Sequence, residues 1–293
     1  MANKHISIGN RMISDDSMPF FIAEIGINHN GDIQLAKRLI DAAFATGWEC
    51  VKFQKREPDL AIPEHQKNTL RETPWGTLTY LDYKKYIEFG LEEYSYIDNY
   101  CKEKPILWTA SPWDMPSLDF ILEFNVPFIK LASATNGNKE LIKAACLSRK
   151  PIIMSTGMCT QNELDMSVSL LEKYSNGDYI LLHTNSVYPS KNDELNLRCI
   201  QLLQERYDCL VGYSGHEENL EPSVAAAVLG AKVIERHITI SHELWGTDQK
   251  ASLEINAMDM LYKRIHSVIR ALGDKEKKIS NEELEVRKKL RRE

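Results

Sequence analysis

The stretch CLVGYSGHEENLEPSVAAAVLGAKVIERH, residues 209–237, decides the fold. An apolar run at 210–213 leads into 222–229, where small and apolar residues recur at helical spacing, and a second apolar run at 233–237 closes it. Strand, helix and strand in so short a span form one unit of a parallel βα alternation. Polar residues end each run, Ser214-Gly215-His216 after the first and Glu235-Arg236-His237 in the second. Either histidine alone would pass for a hydrogen-bonded core group, but two imidazoles at strand ends can grip one divalent metal and leave other positions open to a substrate carbonyl.

The same alternation extends in both directions. Apolar runs at 20–24, 50–54, 106–111, 128–131, 152–155, 179–184, 210–213 and 233–237 read as strands, and 33–46, 94–103, 117–124, 139–147, 163–174, 197–207, 222–229 and 257–272 carry helical periodicity. Eight of each predict an α/β fold, a (β/α)8 TIM barrel. Before the first strand, His5 to Ile13 alternates around Gly9-Asn10, a short N-terminal β-hairpin expected to plug the barrel's amino-terminal end. The expected organisation is a single domain over 1–293, with 1–17 as the hairpin cap and 274–293 as a C-terminal helical tail. The connection 55–80, with Pro58, Pro63, Pro74 and Gly76, is expected to lie as a long loop over the active face.

Composition narrows the function classes. A formal charge of −6 argues against a nucleic-acid partner, and no apolar run approaches a membrane span or a signal peptide, so a cytoplasmic location is expected. Six cysteines without CxxC spacing are expected to be reduced packing residues. No Walker-type or GxGxxG loop supports a nucleotide.

Barrel enzymes assemble their chemistry at the carboxyl ends of the strands, and here those ends are polar throughout. Glu24, Lys52 and Gln54, Thr109 to Ser111, Lys130 and Ser133, Ser155, His183 to Ser186, Ser214, His216, Glu235 and His237 all fall there. A lysine inside an apolar strand is costly unless an anion meets it, so Lys52 and Lys130 point to a phosphate or carboxylate ligand, or to a buried partner such as Glu24 or Glu235. Hydroxyls and the close-approach glycines Gly157 and Gly215 suit phosphate oxygens.

Five segments in order, Ala23-Glu24-Ile25-Gly26-Ile27-Asn28-His29-Asn30-Gly31, Val51-Lys52-Phe53-Gln54, Ser155-Thr156-Gly157-Met158, Gly212-Tyr213-Ser214-Gly215-His216 and Glu235-Arg236-His237-Ile238-Thr239, resemble the sialic acid synthase (N-acetylneuraminate synthase) family. That resemblance covers roughly Phe21 to Leu272. It implies a metal-dependent condensation of phosphoenolpyruvate with the open-chain aldehyde of N-acetylmannosamine or a related amino sugar, giving a nonulosonic acid and phosphate. By the same resemblance, His216 and His237 hold the metal, Mn2+ or Mg2+, and Glu24 lies beside the reacting aldehyde. Glu235 is expected to be catalytic with them, and spacing leaves open whether Glu24, Glu235 or metal-bound water guides the protons. Lys52, Gln54, Thr109, Lys130, Ser133, Ser155, Asn185 and Ser214 form the phosphoenolpyruvate cradle, with Ser186 as the alternative to Asn185. Tyr188 and Asp248 contact the sugar, and a homo-oligomer is implied.

Two departures stand out. Where much of the family reads Lys-Ile-Gly-Ser-Gly-Glu, this chain has Lys130-Leu131-Ala132-Ser133-Ala134-Thr135, without the final carboxylate. The small antifreeze-like domain that typical members carry after the barrel, with its sugar-contacting arginine, is expected to be missing. The connection after the second strand is therefore expected to select the sugar, with Arg71 contacting it among Glu64, His65, Gln66, Lys67, Asn68 and Glu72. Three other readings remain open: an ulosonate synthase using another aldose to give an octulosonic-type product, a metal-dependent aldolase or isomerase, and a non-catalytic sugar-binding barrel.

Overall fold

Side chains of a β-strand alternate between its two faces, so each apolar run of this sequence has one set of residues for the barrel interior and one for the surrounding helices. The computed structural model describes residues 4–291, so Met1, Ala2 and Asn3 of the expected cap and Arg292 and Glu293 of the expected tail lie outside the described residues. A hairpin, β1 (His5–Ile8) and β2 (Arg11–Ser14), precedes β3 (Phe20–Gly26), α1 (Ile33–Ala45) and β4 (Cys50–Lys55). An excursion follows, made of α2 (Pro58–Ala61), α3 (Glu64–Lys67), the hairpin β5 (Leu70–Thr73) and β6 (Gly76–Thr79), and α4 (Tyr80–Ile87), before α5 (Leu91–Glu103). Regular units then succeed one another: β7 (Leu107–Pro112) with α6 (Met115–Leu122), β8 (Ile129–Leu131) with α7 (Lys139–Leu147), and β9 (Ile152–Ser155) with α8 (Gln161–Tyr174). The last are β10 (Tyr179–Thr184) with α9 (Cys199–Arg206), β11 (Leu210–Gly215) with α10 (Glu221–Val228), and β12 (Val233–His237) with α11 (Ile255–Leu272), followed by α12 (Asn281–Leu290).

Eight strands form one parallel sheet in the order β7-β4-β3-β12-β11-β10-β9-β8, the (β/α)8 barrel. Between the outermost strands, β7 and β8, the Thr109 hydroxyl stitches the seam by donating to the Phe128 carbonyl at 2.8 Å. Helix starts are set by side chains that accept from first-turn amides, among them Asp32 on Gln34 at 2.7 Å and Thr160 on Glu163, whose carboxylate accepts from the Thr160 amide in return at 2.7 Å.

Alternation builds the interior in layers. Phe20 and Ile22 of β3, Phe128 before β8, Ile153 of β9, Ile180 and Leu182 of β10, Leu210 of β11 and Val233 of β12 form an apolar floor, and Ile6, Ile8 and Ile13 of the hairpin pack into it from below. One layer up, the same strands present Glu24, Lys52, Lys130, Ser155, Thr184, Ser214 and Glu235. The opposite faces, with Phe21, Ala23, Val51, Leu181, Val211 and Ile234, pack against the helices.

The connection after β4 departs from the loop expected at 55–80. It holds two short helices and a two-stranded hairpin, and α4 continues it. These elements are too short and too mixed in polarity to stand out in sequence. Their own apolar cluster fixes them, with Ile27, Tyr83 and Ile87 buried beneath Trp75, Leu78, Tyr80 and Trp245. All six cysteines are free thiols, and among the described residues no helix is long and apolar enough to cross a membrane.

Candidate active site

The polar layer opens into a cavity of about 370 Å³ at the carboxyl ends of the strands. At its base, Lys52 Nζ lies 2.6 Å from Glu24 Oε2, 3.0 Å from the Ser111 hydroxyl and 3.8 Å from Glu235 Oε1. Lys130 Nζ donates to the Ser155 hydroxyl at 2.7 Å and stands 3.5 Å from Glu235 Oε1. Each lysine therefore meets a buried carboxylate, as one of the two readings expects, and each also lines the cavity. The Glu24 carboxylate also accepts from Gln54 Nε2 at 3.0 Å, and the Ser214 hydroxyl donates to Glu235 at 3.2 Å.

Electrostatics divide the two carboxyls. Burial raises Glu24 to about 7 against the pull of Lys52, with Glu235 adding to the rise. Burial also pushes Glu235 up, but Lys130 and Lys52 outweigh it and hold that group below its ordinary value. Lys52 is held above its ordinary value because Glu235 and Glu24 outweigh its burial, whereas burial brings Lys130 down to about 8. A carboxyl raised toward neutrality beside one held ionised is an arrangement suited to acid–base chemistry.

His216 and His237 lie side by side in the wall of the same cavity with ring centroids 5.5 Å apart, and the Tyr188 ring is tilted against His216 with centroids 4.0 Å apart. Burial lowers His216 to about 3, helped by His237, and His237 to about 4, so both rings are neutral. The Asn185 carbonyl can only accept, so its 2.6 Å contact fixes the proton on His216 Nδ1 and leaves Nε2 as a lone-pair donor. His237 Nδ1 is buried without a partner. Among the described residues no group of three histidines, cysteines or carboxylates stands close enough to hold a metal alone, so a divalent ion bound by these rings would take its remaining ligands from substrate and water. On this donor set the residues fit such an ion. Ser186 Oγ and Glu235 Oε2 are also buried without partners in the cavity wall, a pattern expected where a polar ligand belongs. A Cβ on Gly157 would lie 2.4 Å from Ser186 Oγ and 2.7 Å from Ser133 Oγ, so this hydroxyl cluster exists only because residue 157 has no side chain.

Of the residues expected from sequence, Glu24, Lys52, Gln54, Lys130, Ser133, Ser155, Tyr188, Ser214, His216, Glu235, His237 and Asp248 line this one cavity. Three expected residues lie elsewhere in this structure. Thr109 sits at the register level of Lys52, whose long side chain reaches up to Ser111, so Ser111 faces the cavity and Thr109 serves the seam. The Asn185 side chain turns away, donating to the Glu194 carbonyl at 2.9 Å and accepting from the Val187 amide at 3.0 Å, and Ser186 takes the lining place. Arg71 is not on the cavity wall; its guanidinium stacks 4.3 Å above Tyr80, which is. Sequence reasoning also missed Arg56, Tyr80 and Lys84, and it placed Trp113 at the end of its strand without assigning it to the site. For Lys84 a signal existed: at helical spacing with Tyr80, Tyr83 and Ile87 it falls on the apolar face of α4.

Comparison with known proteins gives a consistent result. Residues 39–277 match the model of the NeuB family. The chain is 36% identical over 274 residues to N-acetylneuraminate-9-phosphate synthase of Mus musculus, covering 92% of this chain and 76% of that protein. It is 34% identical over 283 residues to N,N'-diacetyllegionaminic acid synthase of Legionella pneumophila, covering 93% and 78%. The crystal structure of N-acetylneuraminic acid (sialic acid) synthetase from Leptospira borgpetersenii, in complex with citrate, superimposes with a TM-score of 0.87 at 32% identity over 99% of each chain.

Proposed function

The chain belongs to the NeuB family, whose synthases are carbon–carbon bond-forming transferases of nonulosonic acid biosynthesis, and from that premise we propose that it joins phosphoenolpyruvate to the open-chain aldehyde of N-acetylmannosamine or a related amino sugar. The observation that carries this reading is the meeting of two neutral imidazoles, His216 and His237, with the buried cations Lys52 and Lys130 in one cavity. An aldolase or isomerase would use the imidazoles and have no need of the cations.

Lys52, Lys130 and the hydroxyls of Ser111, Ser133, Ser155 and Ser186 hold the donor's phosphate and carboxylate, orienting the enol carbon toward the aldehyde. His216 and His237 would hold manganese or magnesium, and such an ion, when bound, supplies Lewis-acid polarisation of the aldehyde oxygen. The enol carbon forms its bond to the aldehyde carbon, water adds to the cationic carbon left behind, and phosphate departs as that centre becomes a ketone. Glu24, with its carboxyl near 7, is placed to give a proton to the former aldehyde oxygen, and Glu235, kept ionised by Lys130 and Lys52, to take one from the water. Tyr188 and Asp248 contact the sugar from the cavity wall.

The test is phosphate release from phosphoenolpyruvate with manganese across a panel of N-acetylhexosamines and pentoses, with binding of phosphoenolpyruvate alone followed by calorimetry. Manganese-dependent release with an amino sugar is expected. No release with any aldose, together with no binding of the donor, would overturn the proposal.

A further inference from the structure

A second set of cations lines the outer part of the cavity, and the condensation above gives it no task. Arg56 directly follows β4, four residues beyond Lys52 in the direction of the barrel mouth. Its side chain is buried, stacks 4.3 Å from Trp113 and reaches Gln54, while its Nε has no hydrogen-bond partner. The nearest carboxylate, Glu88, lies 3.9 Å away and already accepts from Lys55 at 3.0 Å. Lys84 of α4 is only 5% exposed, and its ammonium rests 5.0 Å from the Tyr83 ring and 5.4 Å from the Tyr80 ring. It makes no hydrogen bond or ion pair among the described residues. Aromatic faces can hold an ammonium in place while leaving its donors free. Arg56, Lys84, Tyr80 and Trp113 all line the cavity. Of the lining carboxylates, Glu24 and Glu235 face the inner lysines, which leaves Asp248 alone for two outer cations.

Arg56 shares Glu88, 3.9 Å away, with Lys55, and Lys84 has no ion pair among the described residues, so the two buried cations are short of negative charge, and an undercompensated buried charge is unfavourable. We propose that Arg56 and Lys84 form an anion subsite for a phosphate monoester or carboxylate carried by the acceptor sugar at the end remote from its aldehyde. The acceptor is then an anionic sugar, a conclusion that rests on the condensation proposed above. The guanidinium offers paired donors and the ammonium a compact charge, a combination suited to phosphate oxygens.

The experiment compares an N-acetylhexosamine, its 6-phosphate and the corresponding uronic acid, both by kcat/KM with phosphoenolpyruvate and manganese and by direct calorimetric binding to the full chain. The phosphorylated or carboxylated sugar should be preferred by about tenfold or more, and Lys84→Met should reduce that preference by about tenfold, with Lys84→Arg retaining part of it. The preferred anion tells phosphate from carboxylate. Equal use of neutral and anionic sugars by the unmodified protein overturns the subsite, and that measurement needs no variant to fold. An increase in KM for phosphoenolpyruvate in Lys84→Met with the sugar preference intact also overturns it, by assigning these cations to the donor. If no sugar turns over but the phosphorylated one still binds through Lys84, the subsite stands and the condensation falls.

Discussion

Replacing Glu217 by glutamine removes one charge from a fully buried network behind the two histidines. Arg236 and Glu217 are inaccessible to solvent and paired at 3.0 Å, and the Glu217 carboxylate also accepts from the Tyr213 hydroxyl at 2.8 Å and the Ser223 hydroxyl at 2.8 Å. Glutamine keeps the volume and one acceptor oxygen but leaves the Arg236 guanidinium without a counter-charge in the protein interior. Breaking such a pair from one side costs about 3–5 kcal/mol, against a total stability on the order of 5–15 kcal/mol. Urea denaturation should show that loss, and the thermal midpoint should fall on the order of 10 °C. The double variant Glu217→Leu/Arg236→Met removes both charges and should be less damaged than either single change, because no unpaired ion remains. Glu217 and Arg236 are chain neighbours of His216 and His237, and the network ties the end of β11 to β12. Weaker manganese binding by Glu217→Gln, read by electron paramagnetic resonance, is therefore expected as well. A loss below about 1 kcal/mol, or a double variant as destabilised as the sum of the singles, would refute the reasoning.

Gly157→Ala should weaken phosphoenolpyruvate binding by about tenfold or more, measured calorimetrically, because the new methyl group would lie 2.4 Å from Ser186 Oγ and force the hydroxyl cluster apart. Ile8→Ala removes a fully buried side chain from the floor cluster and should cost about 2–5 kcal/mol in denaturation while phosphoenolpyruvate affinity is retained. Burial, aided by Arg56 and Arg71 against Asp248 and Glu88, lowers Lys84 to about 7 from an ordinary 10.5. Between those values the unfolded chain binds more protons than the folded one, so the stability of the unmodified protein relative to Lys84→Met should rise as pH climbs through that window; a flat difference would contradict the assignment.

The barrel was legible because each strand of a buried parallel sheet is a nearly unbroken apolar run, and the polar residues interrupting those runs mark the active end. Glu24, Lys52, Lys130, His216 and His237 stood out for that reason. Sequence and structure part where depth or direction decides which side chain lines the cavity, since spacing reports neither. Thr109 and Ser111 share a face of β7, and only the length of the Lys52 side chain tells which hydroxyl it reaches. Asn185 and Ser186 are adjacent, and only the 2.9 Å contact with the Glu194 carbonyl shows that Asn185 turns outward. Arg56 and Lys84 look like loop charges until the excursion after β4 folds over the mouth on its own apolar cluster, through contacts remote in sequence such as Tyr83 with Trp245 at 5.0 Å.

The amino-terminal hairpin has a kinetic consequence. With Ile6, Ile8 and Ile13 packed into the apolar floor, the amino-terminal end of the barrel is filled, and the cavity lies at the carboxyl ends of the strands. Lys52 and Lys130 stand at the base of this cavity, while Arg56, just after β4, and Lys84, on α4, line it nearer the mouth, so an occupant of the base is expected to enter before, and leave after, one held by the outer pair. Labelled phosphoenolpyruvate bound first should be committed to product when sugar follows, and equal escape of the label with and without sugar would contradict this order.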